Sequence, residues 1–100
     1  MNVKPINTNL NSDEAQLSEA VRRRIFIVIP AYNESRSIEA VVRELRGVYP
    51  NVVVVDDGSR DDTGERALRA GATLLRHVIN RGQGAALQTG FDLILENNPG

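Results

Sequence analysis

Two adjacent carboxylates, Asp56 and Asp57, follow directly on the apolar run Val52-Val53-Val54-Val55. Burying charged groups at the end of such a run is costly unless donors meet them. Successive strand residues point to opposite faces, so one carboxylate can tie down the amides of the following turn while the other faces a crevice. The crevice-facing group can accept a hydrogen bond from a ligand N–H or hydroxyl, a charge-assisted bond of roughly 1.5–3 kcal/mol. Uracil N3–H and guanine N1–H are donors of the right kind. Pro30, Tyr32 and Glu34 follow a second apolar run, Ile25-Phe26-Ile27-Val28-Ile29. A tyrosine there can cover a base or ribose face, and a glutamate can grip ribose hydroxyls. A third group is Arg81-Gly82-Gln83-Gly84. Its glycines let backbone N–H groups approach a phosphate at a helix N-terminus. Arg81 can pair with a pyrophosphate or with a structural carboxylate such as Asp56. Plainer roles stand beside each of these: turn shaping and capping for the aspartates, end packing for Tyr32, a first-turn anion in Glu34, close loop packing for the glycines. The glycine loop is not a full dinucleotide fingerprint, because its third position is Leu87.

These groups need elements to hold them. The two apolar runs lack polar alternation, as in strands buried on both faces of a parallel sheet. Ala72 to Val78 is a third, weaker strand candidate. Ile38, Val41, Val42, Leu45 and Val48 recur at helical spacing. Asn33 or Ser35 can cap that helix, and Pro50 ends it. A second helix is expected from Asp62, with Glu65 in a capping-box position and Gly71 as its stop. A third is expected from about Gly84 to Asn97, with Leu87, Phe91, Ile94 and Leu95 on its apolar face and Asn98-Pro99-Gly100 closing it. The order predicts an α/β fold: half of a doubly wound, mainly parallel sheet, βαβαβα. In such sheets ligands bind beyond the carboxyl ends of the strands, where all three polar groups fall.

Residues 1–24 read as a polar N-terminal extension. Ser12 can cap a short helix there, with Asp13 and Glu14 in its first turn and Arg22, Arg23 and Arg24 at its end. Three arginines fall short of the roughly 4–8 basic residues that hold a chain to anionic lipid. Residues 25–100 read as one domain. The 100-residue chain has a net charge of −1 and no cysteine. It therefore offers no basic field for nucleic acid, no disulfide and no thiolate chemistry. A single histidine, His77, cannot build a histidine metal cluster. No apolar run reaches the ~18 residues of a membrane span, and Met1 to Leu10 lacks a secretory h-region, so the expected compartment is cytoplasmic.

The strings IPAYNE (Ile29 to Glu34) and VVVVDDGSRDDT (Val52 to Thr63) resemble the two opening motifs of family 2 glycosyltransferases. NRGQGAALQTG (Asn80 to Gly90) resembles the third motif of that family, which includes dolichyl- and polyprenyl-phosphate sugar synthases and polysaccharide-building enzymes. The resemblance covers about residues 25–97 and implies the nucleotide-binding half of a GT-A fold. It implies a UDP- or GDP-sugar donor and a lipid-phosphate or glycan acceptor, at the cytoplasmic face of the membrane. It places Pro30, Tyr32 and Glu34 around the nucleoside and Val55 and Asp57 at the base. Asp56 becomes the structural partner, with Gly58 and Ser59 shaping the turn, and Arg81, Gly82 and Gly84 form a candidate phosphate loop. The family's Asp-x-Asp motif, which holds Mg²⁺ or Mn²⁺ on the diphosphate, and its general base come later than Gly100, and no Asp-x-Asp spacing occurs in this sequence. The expectation is therefore an incomplete domain with negligible transferase activity and no catalytic or metal residue of its own, poorly soluble through an unpaired apolar strand edge. The alternative is a non-catalytic nucleotide-binding or partner-binding remnant. A phosphoryl-receiving domain fits worse: it needs its acidic pair after the first strand and a lysine after a late one, and the only lysine is Lys4.

Overall fold

The computed structural model describes residues 19–97. Ser12, Asp13 and Glu14 of the expected N-terminal helix, and Asn98-Pro99-Gly100, lie outside the described residues. Residues 19–23 are helical, and Arg23 pairs with Glu19 one turn back. The elements that follow are β1 (Phe26–Ala31), α1 (Ile38–Arg46), β2 (Asn51–Asp57), α2 (Thr63–Arg69), β3 (Thr73–His77) and α3 (Gln83–Asn97). All three strands are parallel, in the order β1-β2-β3. This is the expected βαβαβα half-sheet.

The central strand sets the two cores. Val52 and Val54 pack with Ile38, Val42, Ala67 and Ala72 on the face covered by α1 and α2. Val53 and Val55 pack with Ala86, Val28, Leu75 and Leu93 on the face covered by α3. Each buried valine contributes about 1.5–3 kcal/mol relative to exposure. The alternation runs on past the apolar residues, so Asp56 falls on the α2 side and Asp57 on the α3 side. β1 and β3 are the edge strands, and neither has a further strand partner among the described residues.

Several local expectations are corrected. The first crossover helix begins at Ile38 with Ser37 in its cap position, not at a cap from Asn33 or Ser35; the Asn33 side chain accepts instead from the Arg60 N–H in the loop after β2. It ends at Arg46, before Pro50, and Val41 and Val48 of its expected apolar stripe are exposed. The α2 capping box does not form: Asp62 turns to Arg66 and Glu65 to Arg76, and Asp61 takes the Thr63 N–H. Gly71 does end α2. Its φ of 105° is open to glycine at no steric cost, and it lets the Gly71 and Ala72 amides bond back to Leu68 and Ala67. β3 spans Thr73 to His77 only, leaving Val78 and Ile79 exposed.

The largest correction concerns α3. Its sheet-facing stripe is Ala86, Gly90 and Leu93, whereas Phe91 and Leu95 are exposed. Small residues win because they let the helix come closest to the sheet: a Cβ on Gly90 would lie 2.5 Å from Val28 Cγ1. Gly90→Ala would gain at most about 1 kcal/mol of helix propensity against an overpacking cost of about 1–3 kcal/mol. The variant is expected to lose up to about 2 kcal/mol in urea denaturation, and adding Val28→Ala should restore most of it. A Gly90→Ala chain more stable than the wild type would contradict this packing.

Candidate functional site

The carboxyl ends of the three strands surround a cleft of about 340 Å³, lined by Pro30, Ala31, Tyr32, Glu34, Asp57, Asn80, Gly82 and Gln83. That volume lies at the small end of the range for ligand pockets. Tyr32 and Glu34 are exposed at its rim, and Asp57 is buried at its base.

The rim is held by side chains that bond across loops. Asn33 has φ 53°, a left-handed conformation asparagine tolerates better than most residues. Its N–H donates to Ser59 Oγ at 2.9 Å, and its Oδ1 accepts the Arg60 N–H at 2.9 Å. One residue on, the Glu34 N–H donates to Thr63 Oγ1 at 2.8 Å. The Thr63 hydroxyl in turn donates to Asp61, whose second oxygen accepts the Ser35 N–H. The Thr63 hydroxyl, more than the smaller opposing effect of desolvation, holds Asp61 below the ordinary aspartate pKa. The loop carrying Tyr32 and Glu34 is thus stitched to the loop after β2.

Asp56 and Asp57 divide their work by face. Asp56 is 2% exposed; it accepts the Ser59 N–H at 3.0 Å and meets Arg76 Nε at 3.3 Å. Gly58 then turns with φ 74°, and a Cβ there would lie 2.5 Å from the backbone of Ile79 and Asn80. Only glycine lets the loop after β3 pass this close. On the other face, Asp57 is 3% exposed. Its Oδ1 accepts the Arg81 N–H at 2.8 Å and faces His77 Nδ1 at 2.7 Å; its Oδ2 accepts the Gly82 N–H at 2.8 Å. Burial acts to raise its pKa, but the bonds from Arg81, His77 and Gly82 outweigh it and hold the group below the ordinary aspartate value. A carboxylate has about four lone-pair directions, so one on Oδ2 is left for a donor in the cleft.

Of the residues singled out in the sequence, Pro30, Tyr32, Glu34, Asp57 and Gly82 line one cleft. Val55 does not: its side chain is fully buried in the core beneath α3. Asp56, Gly58 and Ser59 lie behind the cleft and shape its loops. Arg81 makes no side-chain ion pair among the described residues, and the cation on Asp56 is Arg76. The Arg81 and Gly82 amides are already engaged by Asp57. The α3 amides still open to an anion are therefore those of Gln83, Gly84 and Ala85, ahead of the first helical bond from Ala86 to Gly82. Sequence reasoning passed over Asn80 and Gln83 as lining residues, and His77 and Thr89 as partners behind Asp57. Parallel register was the missing signal, since it sets His77 directly beside Asp57.

No group of three or more His, Cys, Asp or Glu side chains able to hold a metal occurs among the described residues. Among the described residues, Asp57 and Glu34 are the only carboxylates lining the cleft, and Asp57 has most of its lone pairs engaged. These side chains do not make up a divalent-ion site.

The family model described as glycosyl transferase family 2 matches residues 26–95. An uncharacterized protein of Methanocaldococcus jannaschii is 41% identical over 91 residues, 90% of this chain and 37% of that protein. The UDP-N-acetylglucosamine–dolichyl-phosphate N-acetylglucosaminyltransferase of Methanococcus voltae is 50% identical over 40 residues, 39% of this chain and 16% of that enzyme. Among solved structures, glucosyl-3-phosphoglycerate synthase from Mycobacterium tuberculosis in complex with phosphoglyceric acid superposes with a TM-score of 0.66 and 27% identity, over 88% of this chain and 35% of that one. The half-sheet is thus the nucleotide-binding half of a GT-A fold, and the chain spans little more than a third of these proteins at most.

Because the folded pKa of Asp57 is depressed, the stability it contributes is complete above the ordinary aspartate value and is lost as pH falls through the folded one. In hydrogen exchange across an acid series, the Arg81 and Gly82 amides are expected to lose protection in that lower window. Protection unchanged until the sheet itself unfolds would remove Asp57 as their acceptor.

Proposed function

This chain belongs to glycosyl transferase family 2, and we propose that its cleft binds the nucleoside diphosphate of a sugar donor. One observation carries this: Tyr32, Glu34 and Asp57 converge on a single cleft from the ends of two adjacent parallel strands. In this proposal the free Oδ2 direction of Asp57 accepts the imide N–H of uracil or guanine. Tyr32 covers the base or ribose face, and Glu34 accepts from ribose hydroxyls. The diphosphate lies toward the start of α3, whose first turn carries no acidic residue. There the open amides of Gln83, Gly84 and Ala85 and the positive helix end favour an anion, and Arg81 stands two residues before Gln83 in the sequence.

The acceptor is proposed to be a lipid phosphate or a saccharide, on the strength of the dolichyl-phosphate named for the Methanococcus voltae relative. That acceptor would bring the protein to the cytoplasmic face of the membrane, although no helix among the described residues is long and apolar enough to cross it. Mg²⁺ or Mn²⁺, proposed for the whole family enzyme, would neutralise the diphosphate, and the side chains described here do not complete a site for it. These residues recognise and orient the donor. The proton acceptor for the incoming hydroxyl is not among them.

Calorimetric titration with UDP and GDP tests the proposal. One of the two is expected to bind, and Glu34→Gln and Tyr32→Ala, both at exposed positions, should each weaken it by about 5- to 30-fold at unchanged stability. Binding without sugar transfer, with acceptor and metal supplied, would favour the non-catalytic alternative. No binding of either nucleotide, or binding indifferent to both substitutions, would sink the assignment.

A further inference from the structure

His77 is the only histidine in the sequence, and it is buried behind the cleft, at 8% exposure. Its two ring nitrogens face oxygen atoms on two different elements. Nδ1 stands 2.7 Å from Asp57 Oδ1 on β2, and Nε2 stands 2.8 Å from Thr89 Oγ1 on α3. The carboxylate only accepts, so Nδ1 carries a proton. Thr89 Oγ1 also lies 3.0 Å from the Ala85 carbonyl one turn back, so the hydroxyl links the ring to the α3 backbone. The 2.7 Å contact to the carboxylate falls in the range of charge-assisted bonds.

We propose that His77 is a positioning residue for the cleft: a buried ring, anchored on Thr89 of α3, that holds the Asp57 carboxylate in the one orientation serving both the loop amides and the cleft. The ring occupies one Oδ1 direction and Arg81 the other, so Oδ2 is turned toward Gly82 and the cleft. Rotating the carboxylate would break three bonds at once. The same clamp sets where α3 starts, because Arg81 and Gly82 are the residues that lead into it. The consequence for ligand affinity rests on the nucleotide proposal above; the clamp does not.

The test combines ¹⁵N NMR of the full chain with nucleotide titration. Thr89→Val keeps the side-chain shape but removes the hydroxyl that anchors the ring. It should shift the Arg81 and Gly82 amide signals and speed their exchange, and weaken UDP or GDP binding by about 3- to 10-fold. Thr89→Ser restores the hydroxyl and should restore all of these. A Thr89→Val chain whose Arg81 and Gly82 amides are unmoved overturns the proposal. If the wild-type chain binds neither nucleotide, the function proposed above fails, while the amide signals still decide the clamp.

Discussion

Asp56 and Asp57 are carboxylates buried at the end of a valine strand, and buried carboxylates must be met by donors. Most of what surrounds the cleft supplies those donors. Asp56 draws in the Ser59 amide and Arg76 and so fixes the turn after β2 against α2 and β3. Asp57 draws in the Arg81 and Gly82 amides and His77 and so fixes the loop into α3. Because the residues alternate, one strand end organises both layers of helices. The arrangement is demanding, since removing one donor leaves a desolvated charge worth more than the net value of the bond.

The cleft exists because three connections are held close above the sheet without filling it. Gly58 lets the backbone of Ile79 and Asn80 pass within contact of the turn after β2. Asn33 and Thr63 stitch the first loop to the second through bonds to backbone amides. Tyr32 and Glu34 are then carried at the rim on a restrained backbone rather than on a free loop. Restraint of this kind reduces the ordering cost of binding, which is where affinity is commonly lost.

Membership of glycosyl transferase family 2 and a cleft of this shape are mutually consistent: a parallel half-sheet presents its strand ends to a ligand, and the polar side chains gather there. Among the described residues, the cleft gathers the side chains of Tyr32, Glu34 and Asp57, and no cluster of three or more metal-ligating side chains occurs. The exposed Phe91 and Leu95 on α3 and the unpaired edge of β1 leave apolar and hydrogen-bonding surface beside the sheet.

The order of elements, the parallel sheet and the cluster of polar residues at the strand ends were legible in the sequence. Unbroken runs such as Val52 to Val55 suit only a strand covered on both faces, and the acidic pair after them suits only a place where donors converge. Which face of α3 packs was not legible. Periodicity favoured the large residues Leu87, Phe91 and Leu95, but closeness of approach decided, and Ala86 and Gly90 permit it. The start of α1 was misplaced for a related reason: Asn33 is a good cap locally, but its side chain found a partner in the loop after β2. The start of α2 at Asp62 was legible, although the Asp62 side chain pairs with Arg66 rather than capping. The role of His77 depends on parallel register and on a helix docking behind it. Composition and local pattern determine which segments are buried and where charge must be answered. Only the packed structure decides which donor answers it, because partners distant in sequence meet only after the layers have closed.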